Sequence, residues 1–209
     1  MRDELPPAIA RSPRRLRREE LPLNTIALAR YLIGKTVVRE LGGARLSGRI
    51  VETEAYLPDD PACHAFRGQT ARNRSVFLER GHAYVYLIYG VYTMLNVAGD
   101  RKGVGAAVLI RALEPLEGVD QMARHRGGIH GAEVTRGPGR LAQALKIDLR
   151  HDGLDLCAEG PLWLGASVRR RNVIGASTRI GINVAADLVL RFFERGNPNV
   201  RGPKSLQAT

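Results

Sequence analysis

The pattern of apolar and polar positions predicts a chain of short strands with few helices. Apolar residues alternate with polar ones, or stand together in short runs, between clusters of glycine, proline and charged residues. The strongest strand patterns cover residues 35–41, 44–56, 83–89, 91–97 and 105–113. Gly42-Gly43 is predicted to turn between the first two strands, and Gly90 to lie at the tip of a hairpin between the third and fourth.

Three segments have helical spacing instead. Asn24 suits the N-cap of a helix that ends before Gly34. Residues 116–125 show the same spacing, and a glycine-rich turn leads into a third helix at residues 140–147. The other segments read as loops or short strands, at residues 57–80, 127–135, 162–164, 179–183 and 190–195.

This order of elements predicts a single α+β domain, with a mostly antiparallel sheet, flanking helices and a protruding β-hairpin. Residues 1–20 contain several prolines and arginines and are predicted to form a flexible basic arm. The folded domain is expected over residues 21–197, followed by a C-terminal tail at residues 198–209.

The net charge of the chain indicates what kind of molecule it binds. The chain has 32 Lys and Arg against 21 Asp and Glu, a net charge of +11. Residues 1–20 contribute six arginines and four acids, or +2, so the body keeps 11 − 2 = +9. A folded body this basic favours binding to nucleic acid or another polyanion, with a merely soluble basic protein as the alternative.

The cysteines and the apolar segments exclude several other classes. Cys63 and Cys157 are too far apart for a zinc-binding pair, and two cysteines make no disulfide framework, so we expect a reduced cytoplasmic setting and no metal. The N-terminus lacks the apolar core of a signal peptide. The uncharged segment at residues 83–99 is too short and too rich in tyrosine for a membrane span.

Two carboxylates share one face of the second strand. Strand alternation places Glu52, Glu54 and Tyr56 on the same side. A carboxylate at a cleft mouth can deprotonate a water molecule. The structural alternative is an ion pair with one of the many arginines.

The hairpin and the loop before it carry aromatic and basic residues. Tyr84 and Tyr86 share a strand face and Tyr89 falls at the tip, where its ring is expected to be exposed, although strand tyrosines also serve as core residues. Asn96 on the return strand reads equally as a hydrogen-bonded buried amide. The residue types suited to phosphate contact are Arg67, Arg72, Arg74, Gly137, Gly139 and Arg140.

Several motifs together resemble the alkyladenine (3-methyladenine) DNA glycosylase family. The likeness covers about Leu23 to Arg195. The motifs are 51–56 (VETEAY), His64, 72–74 (RNR), 84–90 (YVYLIYG), 95–97 (LNV), 108–115 (VLIRALEP) and 137–145 (GPGRLAQAL). The resemblance implies a curved sheet like that of the tRNA formyltransferase C-terminal domain, and a base-excision repair enzyme that removes alkylated or deaminated purines from duplex DNA.

The resemblance also assigns roles to individual residues. Glu54 matches the general base that activates water, and Arg111 the arginine that positions the water and the flipped nucleotide. Tyr89 matches the residue that intercalates into the DNA. The residues that match the base pocket are Tyr56, His64, Tyr86 and Asn96.

The family pattern includes no cofactor, and no lysine occupies a pocket motif, so a monofunctional hydrolase is expected. One flipped base needs only a monomer. Val91 and Val76 stand where larger residues are common in the family, which leaves the range of lesions open.

Two other classes of protein compete with this interpretation. A non-catalytic nucleic-acid-binding module would need the basic charge and Tyr89 but not Glu54. A carbohydrate hydrolase using Glu52 and Glu54 is less favoured, because glycosidases place their two acids on opposite sides of the bond.

Overall fold

One antiparallel sheet of eight strands forms the frame of the protein. The computed structural model describes residues 13–167 and 173–202. The strands are β1 Thr36–Leu41, β2 Ala44–Tyr56, β3 Ala83–Ile88, β4 Tyr92–Ala98, β5 Ala107–Glu117, β6 Leu162–Gly165, β7 Ile174–Ser177 and β8 Arg191–Glu194. The helices are α1 Thr25–Leu32, α2 Val119–His125 and α3 Pro138–Ala144.

The sheet curls around its longest strand, β2. The order is β3-β4-β5-β2-β1-β6, and β8 pairs with β2 and β7. The first half of β2 pairs with β1 and its second half with β8, while β5 follows its other edge. Residues 52–54 are therefore hydrogen-bonded on both sides, and no solvent reaches them. The predicted α+β class is confirmed.

The three helices pack on the sheet through small and aliphatic residues. Asn24 caps α1 by accepting a hydrogen bond from the backbone of Ala27, as its position in the sequence predicted. Leu28, Leu32 and Leu141 are fully buried in the main core. Helix α3 packs against β4 and β5, which fixes its first turn beside the hairpin.

Two predicted elements differ in the structure. Residues 116–125 are not one helix, because β5 continues to Glu117 and α2 begins only after Gly118, which takes a left-handed φ of 69°. Residues 179–183, which the sequence left as a short strand or a loop, form no strand. A strand lies earlier, at Ile174–Ser177, while the buried ion pair of Arg179 with Asp60 ties the following chain to the loop after β2.

Both end segments pack against the domain over their described parts. In the segment predicted as a flexible arm, residues 13–20 are ordered: Leu16 is buried and donates its backbone N–H to Leu164. Arg18 reaches Asp155 at 2.5 Å. In the predicted tail, Val200 is buried with Val51 and Phe193. Residues 1–12 and 203–209 lie outside the described residues.

Candidate active site

A cleft of about 660 Å³ opens where the ends of the central strands meet the start of α3. One wall comes from β2, β3 and the loop between them, and the other from β4, β5 and α3. Of the residues predicted for a site, the cleft brings together Tyr56, His64, Tyr86, Tyr89, Asn96, Arg111, Gly137, Gly139 and Arg140.

Glu54 lies directly behind this cleft and not on its surface. The side chain is fully buried. Its Oε2 accepts hydrogen bonds from Tyr56 at 2.9 Å and from Arg111 at 3.1 Å, and its Oε1 accepts the backbone N–H of Ile180 at 2.8 Å. All three donors belong to residues that line the cleft. The carboxylate is therefore separated from the cleft by the three residues that donate to it.

A β-bulge aims Arg111 at the two acids. Glu52 pairs with Ala112 and the next residue, Thr53, pairs with Ile110, so Arg111 is the extra residue on β5. A bulge of this kind redirects a side chain. Arg111 then donates to Glu52 at 3.0 Å and to Glu54 at 3.1 Å. Burial opposes its charge, but the carboxylates of Glu54 and Glu52 outweigh this and raise the pKa of Arg111.

Glu52 holds this arrangement from behind. Its Oε1 also accepts a hydrogen bond from Arg191 at 2.7 Å, and its Oε2 accepts the backbone N–H of Arg201 at 3.1 Å. Glu52 is fully buried and does not line the cleft. The contacts of Glu52 are those of a residue that positions Arg111. Glu54 differs because all three of its hydrogen-bond donors line the cleft.

Aromatic rings line the wall beside Glu54. His64 packs edge-on against Tyr86 at 4.5 Å between ring centroids, and its Nδ1 lies 2.8 Å from the hydroxyl of Tyr84. Burial, and then the charge of Glu54, raises the pKa of Tyr86 to about 12. Burial, and then the charge of Arg72, lowers the pKa of His64, so this wall is uncharged at neutral pH.

Tyr56 connects the aromatic wall to the acids. Burial, followed by the charge of Glu54, raises the pKa of its hydroxyl well above the usual range, so the hydroxyl keeps its proton for Glu54. The guanidinium of Arg179 lies 4.6 Å from the centre of the Tyr56 ring and is itself buried. A ring held on its edge by Glu54 and over one face by Arg179 is preorganised for stacking.

Asn96 lies on β4 opposite Tyr84 and is buried. Its Nδ2 donates to the carbonyl of Tyr84 at 3.1 Å, so the structural alternative, a satisfied amide, accounts for its amino group. Asn96 also lines the cleft, so it is both a hydrogen-bonded buried amide and a residue of the predicted base pocket.

Tyr89 is the most exposed large side chain at the hairpin tip. Its side chain is 83% exposed, and its backbone has a φ of 53°, a region that favours glycine. Tyr89 and Gly90 together make the turn between β3 and β4. A ring kept outside the fold by a conformation unusual for tyrosine is placed for contact with another molecule.

The six residues predicted for phosphate contact divide into two groups. Arg67, Arg72 and Arg74 are exposed but do not line the cleft. Gly137, Gly139 and Arg140 line the cleft. For both glycines the structure also gives a steric reason why the position has no side chain. Gly137 has a φ of 133°, and a Cβ on Gly139 would lie 3.3 Å from Tyr92.

The sequence did not predict several residues that the cleft includes. Ile180 contributes a backbone N–H, which no residue pattern reveals. Cys63 lines the floor, and burial raises the pKa of its thiol to about 11. Arg201 lies in the predicted tail and reaches the cleft only because Val200 packs into the sheet.

No three His, Cys, Asp or Glu side chains within residues 13–167 and 173–202 converge as metal ligands. Over the same residues, no helix combines the length and hydrophobicity needed to cross a bilayer.

Comparison with known proteins agrees with this geometry. The profile of the family described as methylpurine-DNA glycosylase matches residues 19–198. A protein of Mesorhizobium japonicum assigned as a 3-methyladenine DNA glycosylase is 59% identical over 206 residues, which is 99% of this chain and 96% of the relative. A relative in Paraburkholderia phytofirmans with the same assignment is 46% identical over 194 residues, which is 93% of this chain and 91% of the relative. With both the family motifs and the cleft in place, the chain belongs to the methylpurine-DNA glycosylase family.

Proposed function

We propose that this DNA glycosylase flips an alkylated or deaminated purine out of duplex DNA and hydrolyses its N-glycosidic bond with a water activated by Glu54. The substrates we propose are of the 3-methyladenine, 7-methylguanine, hypoxanthine and ethenoadenine class, and the products are a free base and an abasic site. The observation that carries the proposal is the contact of Glu54 with Tyr56 and Arg111, both of which line an aromatic cleft.

The cleft suits a flipped purine. The glycosidic bond of a stacked base is inaccessible, so the nucleotide must leave the duplex at a cost of a few kcal/mol. Stacking on aromatic rings returns about 1–3 kcal/mol per base. Tyr56, His64 and Tyr86 provide the rings, and Tyr89 is placed to fill the gap left in the DNA. Tyrosine faces also attract the positive charge of alkylated purines.

The chemistry requires charge stabilisation and proton transfer. As the bond from the sugar carbon to the purine nitrogen breaks, its electron pair leaves with the base and the sugar becomes oxocarbenium-like. A cationic alkylated purine thereby leaves as a neutral base, whereas hypoxanthine or ethenoadenine leaves as an anion and takes up a proton from bulk water. A water then bonds to the sugar carbon and gives its proton to Glu54. Arg111 orients the Glu54 carboxylate. No described residue that lines the cleft is a lysine, which supports hydrolysis over a Schiff-base route.

The burial of Glu54 sets a condition on this step. Its Oε1 is covered by the backbone of Ile180, which belongs to a segment without regular secondary structure between β7 and β8. We propose that this hydrogen bond opens when substrate is bound, so that water reaches Oε1. Because one cleft accommodates one base, we also propose that the protein acts as a monomer on double-stranded DNA.

The test is a duplex oligonucleotide with one hypoxanthine or ethenoadenine, treated with alkali after incubation. Wild type is expected to give strand scission. Glu54→Gln is expected to bind the duplex but to lose base release by at least about 100-fold, the scale of general-base catalysis. Glu40→Gln, a change of the same charge in a half-buried pair with Arg45 away from the cleft, is the control. Cleavage by Glu54→Gln at the wild-type rate would contradict the mechanism. Binding by wild type without release from any lesion would favour a non-catalytic binding module.

A further inference from the structure

The mouth of the cleft is strongly basic. Four arginines from separate parts of the chain line it: Arg126, Arg136, Arg140 and Arg201. A second cavity of about 370 Å³ adjoins the cleft and shares three of them. The other residues that line this second cavity are Glu133 and Gly202. A cavity lined mainly by arginine next to a base pocket suits a phosphate of the DNA backbone.

Glu133 lines this basic cavity and pairs with two of its arginines. Its Oε1 accepts a hydrogen bond from Arg136 at 3.0 Å, and its Oε2 pairs with Arg140. Burial opposes ionisation, but the hydrogen bond from Arg136 and the charge of Arg140 outweigh it and lower the pKa of Glu133. Two guanidinium groups that converge on two oxygens of one carboxylate have the geometry with which arginines also bind a phosphodiester.

Arg201 joins this cavity to the site itself. Its backbone N–H donates to Glu52, and its carbonyl accepts from Arg191. Glu52 in turn holds Arg111. The side chain of Arg201 is exposed and has no carboxylate partner among the described residues. A rigid backbone anchor with a cationic side chain at the cleft mouth suits a contact with the DNA backbone.

We propose that Arg136, Arg140 and Arg201 form a subsite for one DNA phosphate beside the flipped nucleotide, and that Glu133 occupies it in the free protein. The proposal rests on the proposed function, since it takes DNA as the ligand. It extends the site beyond residue 198, where the family match ends. Glu133 must give up its arginines before the phosphate binds, so it weakens binding and lowers the affinity for DNA in general.

The first experiment locates the phosphate. In a duplex with one hypoxanthine, the phosphates near the lesion are replaced one at a time by a neutral methylphosphonate. Binding by wild type is expected to fall roughly 5- to 20-fold at one position. In Arg201→Ala the same replacement should cost less than about 2-fold, because the contact is already lost. This variant keeps both anchors of residue 201, which are backbone contacts.

Arg45→Ala is the matched control for the loss of one positive charge. Arg45 lies at the start of β2, with the cleft at its other end, and pairs with Glu40. It should respond to the methylphosphonates as wild type does. An Arg201→Ala variant that loses as much as wild type at every position would overturn the subsite.

The second experiment tests the role of Glu133. Glu133→Gln should tighten binding roughly 3- to 10-fold at low salt, and Glu40→Gln should not change it. In an Arg136→Ala/Arg140→Ala background the gain should disappear. An equal gain in both backgrounds would show general repulsion between Glu133 and DNA, and no gain in wild type would show that Glu133 does not compete; either result would overturn its role.

Base release is measured separately, so that the two proposals can fail separately. If wild type releases no base from any lesion while the methylphosphonate pattern holds, the proposed function fails and the subsite stands. If base is released but no phosphate position depends on Arg201, the subsite alone fails.

Discussion

At the scale of single residues, Tyr89 has a left-handed backbone conformation that tyrosine does not favour. A left-handed backbone costs a residue with a Cβ roughly 1–2 kcal/mol. The adjacent Gly90 has a similar φ, 69°, at no such cost. The ring of Tyr89 is 83% exposed, so packing within the fold does not explain the choice of residue. Under the proposed function, contact with DNA explains it, because an intercalating ring must project from the surface.

Tyr89→Ala is therefore expected to weaken binding to a lesion duplex by about 1–3 kcal/mol, the value of one stacked base. Binding to undamaged duplex, which depends on backbone charge, should change much less. Fluorescence anisotropy with matched duplexes measures both. Leu23→Ala, at an exposed position outside the hairpin, is the control. Equal losses on both duplexes would contradict the intercalating role.

His64 predicts a dependence on pH. Burial and Arg72 lower the pKa of the folded His64 below its ordinary value of 6.5, so its neutral form favours folding. That contribution is complete above pH 6.5 and is lost as pH falls through the folded pKa. In the same range His64 gains a charge inside the pocket and should repel a cationic base.

Binding to a 7-methylguanine duplex should accordingly weaken on acidification below about pH 6.5 more than binding to a hypoxanthine duplex. Binding titrations at a series of pH values measure the difference. His64→Gln, which cannot gain the charge, should remove it. A difference that persists in the variant would assign the effect to another group.

At the scale of elements, the sequence predicted what depends on local pattern. The alternation in β2 and the hairpin around Gly90 are confirmed because each is encoded by neighbouring residues. The bulge at Arg111 depends on the pairing of β5 with β2, which no single segment encodes. Strand β7 was missed because Gly175, Ala176 and Ser177 carry little apolar signal, and only pairing with β8 makes them a strand.

The bulge and its buried charges predict the effect of Glu52→Gln on stability. The change leaves Arg111 and Arg191 buried with one fewer carboxylate. Breaking a buried ion pair costs about 3–5 kcal/mol. Urea denaturation should show a loss in the free energy of unfolding of this order. For Glu40→Gln, in a half-buried pair that solvent still reaches, the loss should stay within about 1 kcal/mol. Similar small losses in both would mean that the pair with Glu52 is not what stabilises the site.

At the scale of the whole molecule, the described parts of the two end segments pack against the body of the protein. Sequence composition separated residues 1–20 and 198–209 from the body, because prolines, arginines and a lack of periodicity are typical of tails. Among the described residues, contacts with the body include those of Arg14, Arg15, Leu16 and Arg18 at one end, and of Val200 and Arg201 at the other. Single contacts of this kind leave no periodic signal in the sequence, so we propose that the packed domain extends beyond residues 21–197 at both ends.

Truncation tests this boundary. A chain that ends at Asn197 loses the buried Val200 and the backbone of Arg201 that contacts Glu52 and Arg191. Burial of one valine is worth about 1.5–3 kcal/mol, and each lost hydrogen bond to a charged group about 1.5–3 kcal/mol. Together these losses come to at least about 4.5 kcal/mol, which corresponds to a fall in Tm of roughly 9–18 °C for a chain of this size. A chain that ends at Gly202 keeps all three contacts and is the comparison. Calorimetry should find the Tm of this chain close to that of the full-length protein and the Tm of the shorter chain well below both. Base release by the shorter chain should fall, because Glu52, which holds Arg111, loses one of its donors. Equal Tm values for the two truncations would place the end of the domain at residue 197, as the sequence alone predicted.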